Sequence, residues 1–557
     1  MKKNIIFYLA IALVFTGCSD EFTEEPAVGA LSDESLLNTT GVNLQLVGAY
    51  SLLDGWADGT DNNLVSADNW WADVLSDDAH KGSTDGDVAF LFDAEVGNWE
   101  TSNSLFFNKW RSLYAGVNRA NGVIDLIRKV EGEDLTQQLA EARFLRAHYY
   151  FELQRFFGNP SYVSEENFAN VEFNQPNTGP VWSEIESDMQ FALDNLATES
   201  GAIGVPNKNV AIAYMGKIKM YQQKFSEALP LLESVITSGD YSLEPEYFDN
   251  FRLAGESGVE TIFAVQHFAD AGQSFNGSAN NLSHPQGGPY GSCCGFYMPT
   301  QDLVNAFKTE NGLPMFDTFN DSDVVSDLGL LDDDAFTPST EELDPRVDFT
   351  VGRRGIDFNG WGPMPGASWV RPSASDISGP YLSKKNAYYA GEDSQRGTGG
   401  WGQQRSGINA HVIRFADVLL MSAEAAVETG DLAKALTYVN QIRERAKNST
   451  YIKDADGNDA ANYSIELYTS FPNAAYAREA VRWERRLEFG MEGQRLFDLR
   501  RWGNSIEVIN EYIANEGRTI STWNAKVKPY PAHYTLFPIP TQAIDLSGNV
   551  LTQNPGY

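Results

Sequence analysis

Cysteine is scarce, three residues in 557, too few for a fold built on disulfides. Positive charge is in deficit: 41 Lys+Arg stand against 76 Asp+Glu, for a formal net charge of −35 and a pI near 4.5. A surface of that sign repels phosphate backbones, so nucleic acid is not an expected partner. Past the N-terminus no run reaches the ~18 consecutive apolar residues of a spanning helix. The six histidines (His80, His148, His267, His284, His411 and His533) are scattered, with no HExxH and no i,i+4 pair for zinc. Neither the GxSxG turn of a serine hydrolase nor the phosphate-cradling GxxxxGK[ST] occurs. Carboxylates are abundant, and a glycosidase needs only two at a set separation, so composition leaves that class open.

Two motif fragments fail on context. Residues 397–402 satisfy GxGxxG, but no apolar strand leads in and 403–405 (Gln-Gln-Arg) open no clear helix, so no dinucleotide site is expected. Residues 454–459 resemble the start of a calcium loop, yet Asp459 stands where glycine is required and Ile465 where the closing glutamate belongs. A solvated turn is the expected structure there, and neither metal nor cofactor is expected anywhere.

What is present is a large acidic globular chain. A hydrophobic fraction of 42% is too high for disorder, and a mean hydropathy of −0.34 is too polar for a multispan membrane protein. A single core stops growing near ~250–300 residues, so at least two cores or a stacked architecture follow.

The N-terminus reads as an address. Lys2 and Lys3 precede an apolar stretch over 5–15 that is too short for a permanent span and suits a signal-peptide core. It runs into Phe15-Thr16-Gly17-Cys18, which resembles a bacterial lipobox with Cys18 as the acylated residue. The expectation is a signal peptide over 1–17, then a lipidated acidic tether over 18–40, leaving the protein anchored to a membrane rather than embedded in it. Several acyl chains would hold stably at roughly 0.8 kcal/mol per buried CH₂. An ordinary signal peptide with Cys18 incidental is the alternative.

Helical signals dominate both ends of the chain. A helix is expected over 108–130, burying Trp110, Leu113, Tyr114, Val117, Val123, Ile124 and Ile127, and another from Glu141 to its stop at Gly158-Asn159-Pro160. Two later segments coincide when aligned on Ala228 and Ala435, with Leu232 and Val235 matching Val439 and Ile442. Small alanine at a crossing with larger apolar groups every three or four residues is the mechanical pattern of tetratricopeptide-like helix pairs. The fold class is therefore mainly α, with such pairs arranged around a loop-rich insertion at about 270–407 carrying a few short strands. The insertion is rich in glycine and holds Trp361, Trp369 and Trp401, a composition suited to ordered binding loops.

Six of the twelve tryptophans fall in two loop-like stretches: Trp56, Trp70 and Trp71, then the three of the insertion. Indole faces suit the C–H faces of sugar rings, and neighbouring Asp, Asn and Arg can bond hydroxyls. The competing expectation is that a tryptophan is simply core. The adjacent Cys293 and Cys294 could close a vicinal disulfide in an oxidising compartment or remain two buried thiols.

Several stretches together resemble the SusD/RagB glycan-binding lipoproteins of Bacteroidetes. They are 141–147 (Glu-Ala-Arg-Phe-Leu-Arg-Ala) with 158–160, 299–307, 413–425, 484–490 (Glu-Arg-Arg-Leu-Glu-Phe-Gly) with 493–503, 537–540 and 553–557. The resemblance spans essentially the whole chain. It implies an α-helical fold of tetratricopeptide-like pairs, an N-terminal helical region over 41–260, and a C-terminal region over 261–557 holding the ligand-binding insertion. It also implies partnership with a SusC-like TonB-dependent outer-membrane barrel, and motif helices that are scaffold and barrel-facing. The acidic run after Cys18 resembles the surface-export signal of such lipoproteins, which implies an outer-membrane location facing outward.

Placed on this sequence, the ligand face is expected to use Trp70, Trp71 and Asp73 from the early loop and Cys293, Cys294, Trp369, Arg371 and Tyr389 from the insertion. These would act as aromatic stackers, a possible disulfide platform and hydroxyl-bonding groups. The expected function is non-catalytic capture of oligosaccharide for import. Its rivals are a peptide receptor of the same fold, as in RagB-type members, a lipoprotein glycosidase, and a helical adaptor without a small ligand.

Overall fold

A computed structural model describes residues 33–55, 67–270, 273–275, 282–291, 294–371, 376–392, 394 and 406–557. The signal peptide, Cys18, most of the tether, Trp56, Cys293, Trp401 and the 397–402 glycine run lie outside the described residues.

Helices α1 (Thr39–Tyr50) and α2 (Trp70–Val74) precede the long α3 (Ser104–Lys129) and α4 (Thr136–Phe157), followed by α5 (Trp182–Asn195), α6 (Lys208–Tyr221) and α7 (Phe225–Ser238). The insertion carries short helices such as α8 (Gln301–Ala306). Beyond it come α9 (Phe415–Glu428), α10 (Leu432–Asn448), α11 (Ala474–Phe489), α12 (Arg495–Trp502) and α13 (Ser505–Thr519). From α3 to α7 each helix packs on the next, apart from the short helix Glu165–Ala169, and α7 packs on α9, so the stack continues across the insertion as tetratricopeptide-like helix pairs. The segments aligned on Ala228 and Ala435 are α7 and α10, the second helices of two such pairs, and both alanines are fully buried.

Close crossings rest on missing side chains. A Cβ on Gly216 of α6 would lie 2.5 Å from Leu232 of α7, and one on Gly116 of α3 would lie 2.5 Å from the Tyr149 ring of α4. Helix α4 stops where its sequence says it should. Gly158 takes φ = 77°, its N–H bonds Gln154 O at 2.9 Å, and a Cβ there would meet Leu536 at 2.6 Å. Helix α3 starts four residues before the hydrophobic pattern because the Asn103 side chain caps it, accepting from Leu105 N at 2.9 Å.

Short antiparallel pairs tie the stack to the insertion. Strand β1 (Ala79–Gly82) pairs with β5 (Phe296–Pro299), and β2 (Thr261–Val265) pairs with β10 (Ala410–Arg414), with Ala410 opposite Val265. The second pairing brings the two ends of the insertion together. Three smaller pairs, β3 (Phe268–Asp270) with β4 (Gln273–Phe275), β6 (Thr309–Glu310) with β7 (Leu313–Pro314), and β8 (Val351–Gly352) with β9 (Leu382–Ser383), brace it internally. One apolar cluster extends from Val42 to Leu551, and a separate small one lies within the insertion. The 454–459 segment is a solvated turn: Asp454 Oδ1 accepts from the Asp456 and Asn458 N–H groups, and Lys453 pairs with Asp459.

Candidate functional site

The motif helix α11 is the hub of the scaffold. Successive residues of a helix point about 100° apart, and here each charged member of 484–488 reaches a different buried partner set. Glu484 meets Arg346 at 2.7 Å and Arg443 at 2.9 Å. Arg485 bridges Asp417 and Asp498, each at 2.8 Å. Arg486 reaches Asp77, Asp78 and Asp302 at 3.0, 2.9 and 2.7 Å. Glu488 accepts from Arg414 at 2.6 Å, Arg346 at 3.1 Å and Arg445. Around Glu488 the lattice is charge-balanced: Glu260, Asp344, Glu484, Glu488 and Glu492 face Arg346, Lys385, Arg414, Arg443 and Arg445. Burial works against the Glu488 carboxylate, but Arg445, Arg414 and Arg346 overcome it and hold its pKa far below the usual range.

Trp70, Trp71 and Asp73 do not belong to a ligand face. Both indoles have no exposed surface. Trp70 packs against Phe296 and Tyr297, with centroids 6.2 and 5.5 Å away, and Trp71 against Phe156 and Phe537, both at 5.2 Å. Asp73 is equally buried. Its Oδ2 accepts from Tyr297 Oη at 2.6 Å and Gly493 N at 2.7 Å, and its Oδ1 from Arg495 N at 3.2 Å, so the carboxylate is committed to internal donors and closed to a sugar hydroxyl by burial. Burial and the neighbouring Asp78 push its pKa up to about 8 against those bonds. The polar flanks that suggested a surface loop are themselves internal: they form the helix α2 and its anchors to the 493–495 turn.

Beside them, His80 on β1 lies between two carboxylates, Nε2 3.0 Å from Glu516 and Nδ1 3.5 Å from Glu95. Burial lowers its pKa, but the two carboxylates outweigh this and raise it to about 9. A raised folded-state pKa contributes stability that is complete below the unfolded value near 6.5 and is lost as pH rises through about 9. Accordingly, the melting temperature of His80→Gln should depend less on pH between about 7 and 10 than that of the parent. Parallel slopes in a thermal-melt series would contradict this.

The insertion places aromatic rings at its surface. Trp361 is 37% exposed and stands edge-on to Tyr290 and Tyr388, with centroids 6.2 and 6.4 Å away. Trp369 is half-buried, 5.7 Å from Phe358, which in turn lies 5.8 Å from Tyr290. The rings thus form one connected path over the insertion's own apolar cluster. Two glycine turns make room for it. At Gly288, φ is 64° and a Cβ would lie 2.3 Å from the Trp369 indole. The 357–362 turn is clamped by Asp357, which accepts from Gly360 N at 2.8 Å and Gly362 N at 2.9 Å, and by Asn359, which donates to the Lys384 and Ala387 carbonyls.

Tyr389 packs against Gly360, next to Trp361, and carries the Arg252 guanidinium 3.8 Å from its ring centroid. Glu392 holds Arg252 in place at 2.9 Å. Arg371 is itself held by Asp87 at 2.6 Å, the Ser83 hydroxyl and the Cys294 carbonyl. Cys294 is buried and disulfide-bonded; the other two cysteines of the chain, Cys18 and Cys293, lie outside the described residues. Of the expected site residues the structure therefore leaves Trp369 and Tyr389 partly exposed in the insertion and ties Arg371 to Asp87, Ser83 and Cys294. Trp361, Tyr290, Phe358 and Tyr388 complete the path. Trp361 is already marked in sequence as an insertion tryptophan, whereas Tyr290, Phe358 and Tyr388 are marked only by the glycines around them.

Comparisons with known proteins agree with this architecture. Residues 259–557 match the model described as "SusD family", and residues 33–220 match one described as "Starch-binding associating with outer membrane". SusD-like protein P2 of Formosa agariphila is 23% identical, with all of both chains covered. Among solved structures, a SusD-like carbohydrate binding protein of Bacteroides fragilis superposes with a TM-score of 0.70 at 21% identity, covering 93% of this chain and 99% of its own. Surface glycan-binding protein A of Bacteroides thetaiotaomicron in complex with laminarihexaose gives 0.66 at 19% identity, covering 93% and 99%. A family match over more than half of the chain, ending at its last residue and carrying the α11 charge hub, makes this protein a member of the SusD family.

Proposed function

We propose that this protein is a non-catalytic glycan receptor of the outer membrane, lipid-anchored through Cys18 and facing outward. It would capture oligosaccharide on the insertion and hand it to a SusC-like TonB-dependent barrel. The observation that carries the reading is the pair Trp361 and Trp369, exposed and half-exposed indoles fixed by glycine turns over a private aromatic cluster. Apolar ring faces held rigid at a surface bind sugar rings with little entropy to lose. Tyr389 with its stacked Arg252 would extend the platform, and a Cys293–Cys294 disulfide would stiffen its edge. The relatives support the ligand class: one solved structure of this fold is a laminarin binding SusD-like protein. The buried carboxylates support a non-catalytic role, since those around α11 are committed to arginine and closed to solvent.

Affinity electrophoresis through gels containing plant, microbial and host polysaccharides tests this directly. The parent chain should be retarded in at least one gel, and Trp361→Ala with Trp369→Ala should lose about tenfold or more in affinity while keeping its melting temperature. Unchanged retardation of that double variant would move the site elsewhere.

A further inference from the structure

Lys81 on β1 is fully buried. Its ammonium donates to three main-chain carbonyls of the loop that follows, Gly82 O at 2.9 Å, Thr84 O at 2.8 Å and Asp87 O at 2.9 Å, and lies 5.0 Å from the Phe296 ring centroid. The loop is thus wrapped around a cation that the chain itself supplies. Its backbone needs one. Gly82, Ser83 and Val88 all take left-handed φ, at 74°, 53° and 54°, and for β-branched Val88 that region is strained. Backbone in such a state persists only where its surroundings over-determine it. The three Lys81 bonds do so, together with Ser83 N–H, which donates to Gly295 O at 2.8 Å.

The same loop grips the chain beyond Trp369. Arg371 is held by the Asp87 and Ser83 side chains, which are bonded to each other at 2.8 Å. Asp85 shares Lys526 with Asp376, whose carbonyl also accepts from Thr522 at 2.8 Å. Two residues before Arg371, the Trp369 carbonyl accepts from Gly287 N and the indole rests against Gly288. We propose that Lys81 is a positioning residue for the aromatic face: its ammonium is the resident cation of the 82–87 loop, and the loop it organises sets Arg371 and, through it, Trp369. Only the consequence for binding rests on the glycan reading.

Proton chemistry gives this arrangement a signature. An ammonium has three N–H donors, whereas the neutral amine has two and a lone pair that would face the third carbonyl. Burial lowers the Lys81 pKa to about 8, while Glu95, Asp87 and Asp85 favour the charge and Arg371 opposes it. Lys526, over the same Phe92 ring, and His80, which shares Glu95, also border the site.

The test is fluorine NMR of the full chain labelled with 5-fluorotryptophan, the Trp369 signal being assigned by its loss in Trp369→Phe. In the parent that signal should shift with a midpoint near pH 8. The shift should vanish in Lys81→Met. It should vanish equally in Asp87→Ala, which keeps the carbonyl cage but releases Arg371; that side chain is partly exposed, so this variant decides the matter if Lys81→Met does not fold. Affinity for a retarding polysaccharide should fall about fivefold or more as the Trp369 signal titrates, and should be low at every pH in Asp87→Ala. A Trp369 signal that does not titrate, or that still titrates in either variant, overturns the proposal. Loss of the shift in His80→Gln would assign it to that histidine and overturn the proposal too, as would constant affinity across a Trp369 titration. If no polysaccharide is retarded at any pH, the glycan reading fails and the fluorine titration alone decides the role of Lys81.

Discussion

Glu488→Ala should lower the stability of the protein by about 3–5 kcal/mol, enough to leave much of it unfolded at 37 °C. The carboxylate accepts from Arg346, Arg414 and Arg445, all buried, in a lattice of five acids and five bases. Truncation leaves a net positive charge with no solvent to screen it, at the point where α9, α10, α11 and the insertion meet. Glu488→Gln keeps the shape, so a similar loss in urea unfolding would assign the effect to charge, while a much smaller one would assign it to packing. The acid limb follows from the same bonds. A carboxylate whose folded pKa is depressed contributes stability that is complete above about pH 4.5 and is lost as pH falls toward the folded value. Glu152, drawn down to about 2 by Arg155, His148 and Lys109 against burial, adds to that limb. A variant melting within a degree of the parent would show that the lattice is not a stability determinant.

The double replacement Trp70→Ala, Trp71→Ala should abolish folding rather than binding. Removing a fully buried tryptophan costs about 3–5 kcal/mol, and these two leave one short helix in different directions: Trp70 against β5, Trp71 against α4 and Phe537. Their loss would also loosen Asp73, which ties α2 to Gly493 and Arg495. Circular dichroism should show no cooperative transition for the double variant and a reduced midpoint for each single one. A folded double variant with weakened glycan binding would instead restore residues 70–73 to the ligand face. Paired with Trp361→Ala and Trp369→Ala, the experiment separates tryptophans that build the protein from those proposed to bind glycan.

The two groups of tryptophan also mark the limit of sequence reading. Asn69-Trp70-Trp71-Ala72-Asp73 and Ser368-Trp369-Val370-Arg371 have similar polar flanks. In the first, the polar groups are consumed by internal partners up to about 420 residues away, such as Gly493 and Arg495. In the second, Ser368 N–H bonds the half-buried Asp332, and the indole rests on a glycine turn. No local pattern distinguishes the two cases, because what decides them is which distant segment arrives to cover the ring.

Helix periodicity, the Asn103 cap, the Gly158 stop and the Ala228 and Ala435 crossings are local properties. The sequence by itself therefore determined the helical stack, the loop-rich insertion between its halves and the motifs that place the chain in its family. The tertiary structure alone decided that the Glu484–Glu488 charges are a closed ionic hub, that the early tryptophans are core, and that Trp361 and Trp369 are joined through the buried rings of Tyr290 and Phe358. Burial and ion pairing depend on contacts between residues hundreds of positions apart, and their free energies are set by the dielectric that those contacts create.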